Sequence, residues 1–232
     1  MFFPIGDDNI RGGSKPLFSY SLILINVLVF LYESVLNHPQ AEAFVFEFGN
    51  IPIELLSGID LYTLMTSMFL HGGWMHLIGN MLFLWVFADN VEAIIGTFNF
   101  ILFYILGGVA ATLIHALFNP ISEIPVVGAS GAISAVMGAY LVMFPASRIR
   151  VFIVFLLTSA QIPALLFLGI WILQQTVAGV GSLGLGTEEQ GGVAWWAHIG
   201  GFAFGLVAGL FARSSYRNRY RYLHDDDDRN LD

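Results

Sequence analysis

Residues 98–117, FNFILFYILGGVAATLIHAL, run for twenty positions without one Asp, Glu, Lys or Arg. At 1.5 Å of rise per residue, a helix of that length covers about 30 Å, the thickness of the hydrocarbon core of a bilayer. Five further runs are long and apolar enough to be read in the same way: 17–36, 74–95, 128–144, 162–181 and 194–212. The run at 128–144 is the shortest and the richest in Gly, Ala and Ser, which suits a helix enclosed by others rather than one facing lipid. The stretch 151–157, VFIVFLL, is apolar but too short to span, and reads either as an interfacial segment or as an extension of the fifth helix.

Composition agrees. Of 232 residues, 56% are hydrophobic and 11% charged, and the mean hydropathy is +0.74. A soluble domain carries about 25% charged residues, and one of this size still needs a polar surface. The expected fold is therefore all-α: a polytopic membrane protein built as a six-transmembrane-helix bundle. Residues 17–212 form the membrane domain, 1–16 an N-terminal tail, and 213–232 a C-terminal tail whose Asp225 to Asp228 run reads as disordered and solvated. The chain has no Cys, which removes disulfides and thiolate chemistry together. No basic stripe points to nucleic acid. Ala41-Glu42-Ala43 has the pattern of a signal-cleavage site, but the preceding apolar run is longer than a signal's core, so cleavage is not expected.

With six spans, both termini share one side with the connections after spans two and four. All nine basic residues fall there: Arg11, Lys15, Arg148, Arg150, Arg213, Arg217, Arg219, Arg221 and Arg229. The other side holds Glu42, Glu47, Glu54, Asp60, Glu123, Glu188 and Glu189 and no Lys or Arg. This bias puts both termini in the cytosol. Short tails fit a prokaryotic cytoplasmic membrane. The connection at 37–73 is too apolar for a solvated linker and is expected to lie in the interface.

Polar groups inside a membrane are costly and are read as functional until shown otherwise. His76 and Asn80 fall in the first turns of span two, Ser130 in the first turn of span four, and His198 about one turn into span six. All lie within about 10 Å of the outer ends of their helices. No carboxylate is read in that outer layer of any span; Asp89 and Glu92 lie at the far end of span two.

Ser130 occupies Gly128-Ala129-Ser130-Gly131 at a helix start, where backbone N–H groups without intrahelical partners can hold an oxyanion. The same four residues also suit nothing more than close helix packing. His198 stands three residues before Gly201, and Gly201, Gly205 and Gly209 make one smooth face. The complement is Gly131, Ala135 and Gly138 on span four, and close packing of the two would bring the imidazole to Ser130. An interhelical hydrogen bond without chemistry is the plainer alternative. His76 and Asn80, four apart, share a helical face and could supply two oxyanion donors. His71 reads as a structural hydrogen bond in the loop, and His115 is assigned no role. With no carboxylate nearby, the arrangement is a Ser/His pair, not a three-member relay.

Three motifs in order, His71-x4-His76-x3-Asn80, Gly128-x-Ser130-Gly131 and Ala197-His198-x2-Gly201-x3-Gly205, resemble those of the rhomboid family of intramembrane serine proteases. The likeness covers about residues 17–212. It implies that Ser130 is the nucleophile and His198 the general base and acid, and that His76, Asn80 and the backbone N–H of Ser130 hold the oxyanion. It also implies a mobile flap around span five and its outer loop, membrane-anchored single-span protein substrates cut near their outer end, and no cofactor or metal. Two positions depart from patterns found in some members: Ser134 stands where an aromatic residue packs on the histidine, and Tyr62-Thr63 where Trp-Arg anchors the first outer loop.

A transporter relaying protons through His71, His76, His115 and His198 would need polar groups across the full depth and an internal repeat, and neither is present. A metalloprotease would need H-E-x-x-H, and an aspartyl enzyme two intramembrane aspartates. A non-cleaving binder of membrane helices would be expected to lack the Ser or the His.

Overall fold

The computed structural model describes residues 2–8, 15–183 and 193–229, and of Phe2 and residues 214–229 the backbone alone. Arg11, the Glu188-Glu189 pair and most of the loop after span five therefore lie outside the described residues, as do the side chains of the Asp225 to Asp228 run.

The elements run β1 (Phe2–Gly6), α1 (Leu17–Val35), α2 (His38–Phe48), α3 (Pro52–Leu56), α4 (Thr63–Thr66), a 3-10 turn at Ser67–Phe69, α5 (Trp74–Ile95), α6 (Thr97–Phe118), α7 (Ser130–Met143), β2 (Arg148–Ile153), β3 (Thr158–Pro163), α8 (Ala164–Gly181) and α9 (Trp195–Arg229). Helices α1, α5, α6, α8 and α9 are each long and apolar enough to cross a membrane. The chain is a multi-pass membrane protein. The sixth expected span is α7, with 14 residues and a length of about 21 Å. It is buried without a break from Ala132 to Tyr140, so it is the bundle's enclosed centre rather than a lipid-facing wall.

Glycines set how closely α7 and α9 approach. A Cβ on Gly201 would overlap the Gly131 carbonyl oxygen, one on Gly205 the Ala135 carbonyl, and one on Gly209 would lie 2.9 Å from Ala139 Cα. From the other side, a Cβ on Gly138 would overlap the Phe202 backbone. Backbones in this contact have no room for side chains, which is how helices pack tightly where lipid is as apolar as the protein.

At the end of the bundle away from Ser130, a buried carboxylate ties α1 to α5. Glu92, fully buried, accepts from Phe18 N (3.1 Å), Ser19 N (2.8 Å), Ser19 Oγ (2.6 Å) and Thr97 Oγ1 (2.8 Å). It caps the N-terminus of α1 from another helix and meets the positive end of that helix's dipole. Glu92→Ala would leave these donors without an acceptor, and is expected to cost about 1–3 kcal/mol, read as a lower melting temperature in detergent. An unchanged midpoint would remove Glu92 from the account of α1 docking.

The same end carries a structure that the sequence reading missed. Residues 151–157 do not extend α8: β2 and β3 form a hairpin, and β1 pairs antiparallel with β2, giving a three-stranded sheet in the order β1-β2-β3. The signal was the alternation Arg148-Ile149-Arg150-Val151, in which Ile149 and Val151 are buried and both arginines exposed. Residues 2–6 of the N-terminal tail thus form a strand.

Just after β1, Asp7 accepts from Asn90 Nδ2 at 2.6 Å and from the Tyr140 hydroxyl. Burial pushes the Asp7 carboxyl up to about 6, against the lowering effect of those two hydrogen bonds. A folded-state pKa above the unfolded one means that the folded chain binds more protons between the two values. Docking of this segment is therefore strongest at low pH and weakens as pH rises through about 6. Amide exchange across β1, corrected for intrinsic rate, is expected to be slower at pH 5 than at pH 7.5; equal protection would exclude Asp7 as the cause.

At the other end of the chain, the α9 backbone continues as helix to Arg229, past the boundary expected at 212 and through the stretch read as disordered. A helix already nucleated adds residues at little cost.

Candidate active site

Helix α7 begins at Ser130 itself, and no side chain among the described residues caps its N-terminus, which leaves the first backbone N–H groups open to a ligand. The approach to it is braced by the loop between α1 and α5. Asn50 and Val126 exchange backbone hydrogen bonds (3.0 and 2.8 Å), and Gly128 N donates to the Ser67 carbonyl at 2.8 Å. Thr63, at the second of the two departures, is buried and accepts from Asn50 Nδ2 at 2.9 Å, while Tyr62 Oη donates to the Glu47 carbonyl at 3.0 Å. Hydrogen bonds between neutral groups thus hold this loop in place.

Gly128 sits at φ +123°, and a Cβ there would lie 2.7 Å from His76 Nε2 and 3.5 Å from Asn80 Nδ2. The segment entering α7 is therefore pressed against both residues of α5, and neither the torsion nor the space admits a side chain. This contact brings the His76 and Asn80 side chains to the Ser130 turn.

His198 Nε2 lies 2.9 Å from Ser130 Oγ. The other ring nitrogen, Nδ1, lies 2.7 Å from Gln175 Oε1 of α8. Trp171, one turn before Gln175, tilts over the imidazole with centroids 5.9 Å apart, and Trp195 meets it edge-on at 6.4 Å. Ser134 donates to the Ser130 carbonyl at 2.6 Å and leaves the imidazole to the two tryptophans.

Behind this layer, Asn80 Nδ2 donates to His71 Nε2 at 3.0 Å, which puts the His71 proton on Nδ1, facing the Phe69 carbonyl at 3.3 Å. Burial, with His76 adding to it, holds the His71 imidazole down near 4, so it is neutral at ordinary pH. The His71 backbone N–H donates to Glu33 Oε2 at 3.2 Å. Glu33 corrects the reading that no carboxylate lies in this layer: it stands in the last turn of α1, within the first apolar run, and its acidity there was the signal. It faces His71, not His198. His115 is buried in α6, with Nδ1 unpaired among the described residues.

The structure thus brings together His71, His76, Asn80, Ser130 and His198, all named from sequence, and adds Gln175 and Glu33. A model of the rhomboid domain matches residues 59–215, which contain every one of these except Glu33.

The chain belongs to the rhomboid family.

This rhomboid is 31% identical over 134 residues to the rhomboid protease GluP of Bacillus subtilis, an alignment covering 58% of this chain and 26% of that protein. It is 25% identical over 209 residues to Rhomboid protein 1, mitochondrial, of Saccharomyces cerevisiae, covering 88% of this chain and 56% of the relative. Over 206 residues it is 29% identical to Rhomboid-like protein 11, chloroplastic, of Arabidopsis thaliana, with 86% and 67% covered. The chain spans between about a quarter and two thirds of the length of these curated relatives. Bacterial and organellar rhomboids are thus both among the proteins it resembles in sequence.

Proposed function

We propose that the protein is an intramembrane serine endopeptidase that cleaves membrane-anchored, single-span substrates near the outer face of the bilayer. The observation that carries this reading is the 2.9 Å approach of His198 Nε2 to Ser130 Oγ at the uncapped start of a buried helix. Ser130 Oγ attacks the scissile carbonyl carbon while His198 takes the hydroxyl proton. The oxyanion that forms is held by the Ser130 backbone N–H, His76 and the second N–H of Asn80. His198 then gives its proton to the leaving amine. Water, deprotonated by the same imidazole, hydrolyses the acyl-enzyme and frees Ser130. All of this needs no cofactor or metal.

A substrate helix protects its carbonyls with internal hydrogen bonds and must unwind locally before attack. Gly or Pro near the cleavage point lowers that cost. Residues 17–212 form the protease domain in this reading, with 1–16 and 213–232 flanking it. The distribution of basic residues favours termini in the cytosol and a site opening outward. The partners are lipid and protein substrate, without nucleic acid.

The test is incubation of the purified protein, reconstituted in liposomes, with a panel of single-span substrates beside a Ser130→Ala control. Cleavage by the wild type alone is expected. Processing of none of the panel, or of the same substrates by both proteins, would overturn the assignment.

A further inference from the structure

We propose that Gln175 is a positioning residue that holds His198 in the tautomer and orientation needed to accept the Ser130 proton, so that the working unit is Ser130, His198 and an uncharged amide on α8. This rests on the reading of Ser130 and His198 as nucleophile and base. A neutral imidazole has a single N–H. With the Gln175 amide oxygen 2.7 Å from Nδ1, that proton sits on Nδ1, and the Nε2 lone pair faces Ser130 Oγ at 2.9 Å. With no acceptor at Nδ1, the ring is free to carry its proton on Nε2, where it blocks proton transfer.

The position is built for the role. Gln175 is 5% exposed, in a helix whose lipid side is Leu166, Ile170, Leu173 and Val177. Trp171, Gln175 and Gly179 follow at intervals of four, so one stripe of α8 meets α9. Trp171 covers the imidazole, Gln175 takes its Nδ1, and Gly179 lets the helices close, since a Cβ there would lie 2.9 Å from Ile199 Cδ1. Two groups from α8 thereby place the ring that Ser134 leaves unsupported. An amide suits the site better than a carboxylate, because it accepts the same hydrogen bond without the desolvation cost of a buried charge. The titratable groups acting on this imidazole from other helices are His76 of α5 and His115 of α6.

The experiment uses the full chain and two variants, with a readout that loss of mere helix adhesion would not move. Gln175→Leu keeps the bulk and removes the acceptor. Its kcat is expected to fall about 10–100-fold with KM little changed, and the nitrogen-15 resonances of His198 are expected to move away from the Nδ1-protonated pattern of the wild type. Gln175→Glu restores an acceptor and adds charge, so it should retain activity with the acid limb of kcat/KM raised by about 1 pH unit. Wild-type kcat in Gln175→Leu, an unchanged tautomer, or a Gln175→Glu protein that is inactive or unshifted would overturn the proposal. Labelling of Ser130 by a fluorophosphonate separates the two levels. A wild type that neither labels nor cleaves fails the functional reading itself, whereas a wild type and a Gln175→Leu variant that label at the same rate fail Gln175 alone.

Discussion

Ser130→Ala is expected to lower the cleavage rate by at least about 10^4-fold while leaving the melting temperature in detergent where it was. In the proposed mechanism the hydroxyl is the attacking atom, so its removal leaves only what the oxyanion donors and substrate binding supply. Ser130 is half-buried and its hydroxyl's hydrogen bond is to His198, so the fold loses little with it. His198→Ala should fall as far, and the double variant no further, because in that mechanism the two act as one unit. Additive losses would mean that each works without the other, and would contradict the 2.9 Å pairing as the catalytic contact. A wild-type rate in Ser130→Ala would remove the nucleophile.

The second large effect is structural and reaches the site indirectly. At Gly205 the missing Cβ faces the Ala135 carbonyl, and at Gly201, one turn nearer the site, it faces the Gly131 carbonyl. Gly205→Leu forces α9 away from α7 along a contact made of backbone, which cannot move aside as a side chain would. Overpacking of this kind costs about 1–3 kcal/mol, and more where backbone must shift. Because His198 rides on α9 and Ser130 on α7, the separation that relieves the clash also lengthens the Nε2–Oγ contact. A melting temperature several degrees lower and a loss of cleavage are expected together. Val207, two residues further along α9 and 57% exposed, points away from this contact, so Val207→Leu is the matched control and should change neither. A Gly205→Leu protein with native stability and activity would contradict the account of the α7–α9 contact.

The spans were legible because a bilayer converts composition into length. The run read at 74–95 is α5 residue for residue, and 17–36 differs from α1 by one position. The glycine face of α9 was legible as well, since small residues four apart have one packing consequence in a membrane. What escaped has equally plain causes. The β1–β2 pairing joins residues about 150 apart, and nothing local in Phe2–Gly6 announces it. Glu33 is hidden because it stands near the end of an apolar run whose length alone identifies it as a span. Gln175 carries no such signal, because the group at Nδ1 is a neutral amide and not a charge.

Activation of Ser130 by His198 at the start of α7 is tested by peptide mapping of the full chain after treatment with a fluorophosphonate. Modification on Ser130 in the wild type, and its loss in His198→Ala, is the predicted result. Modification at another serine, or Ser130 labelled equally with and without His198, would contradict it.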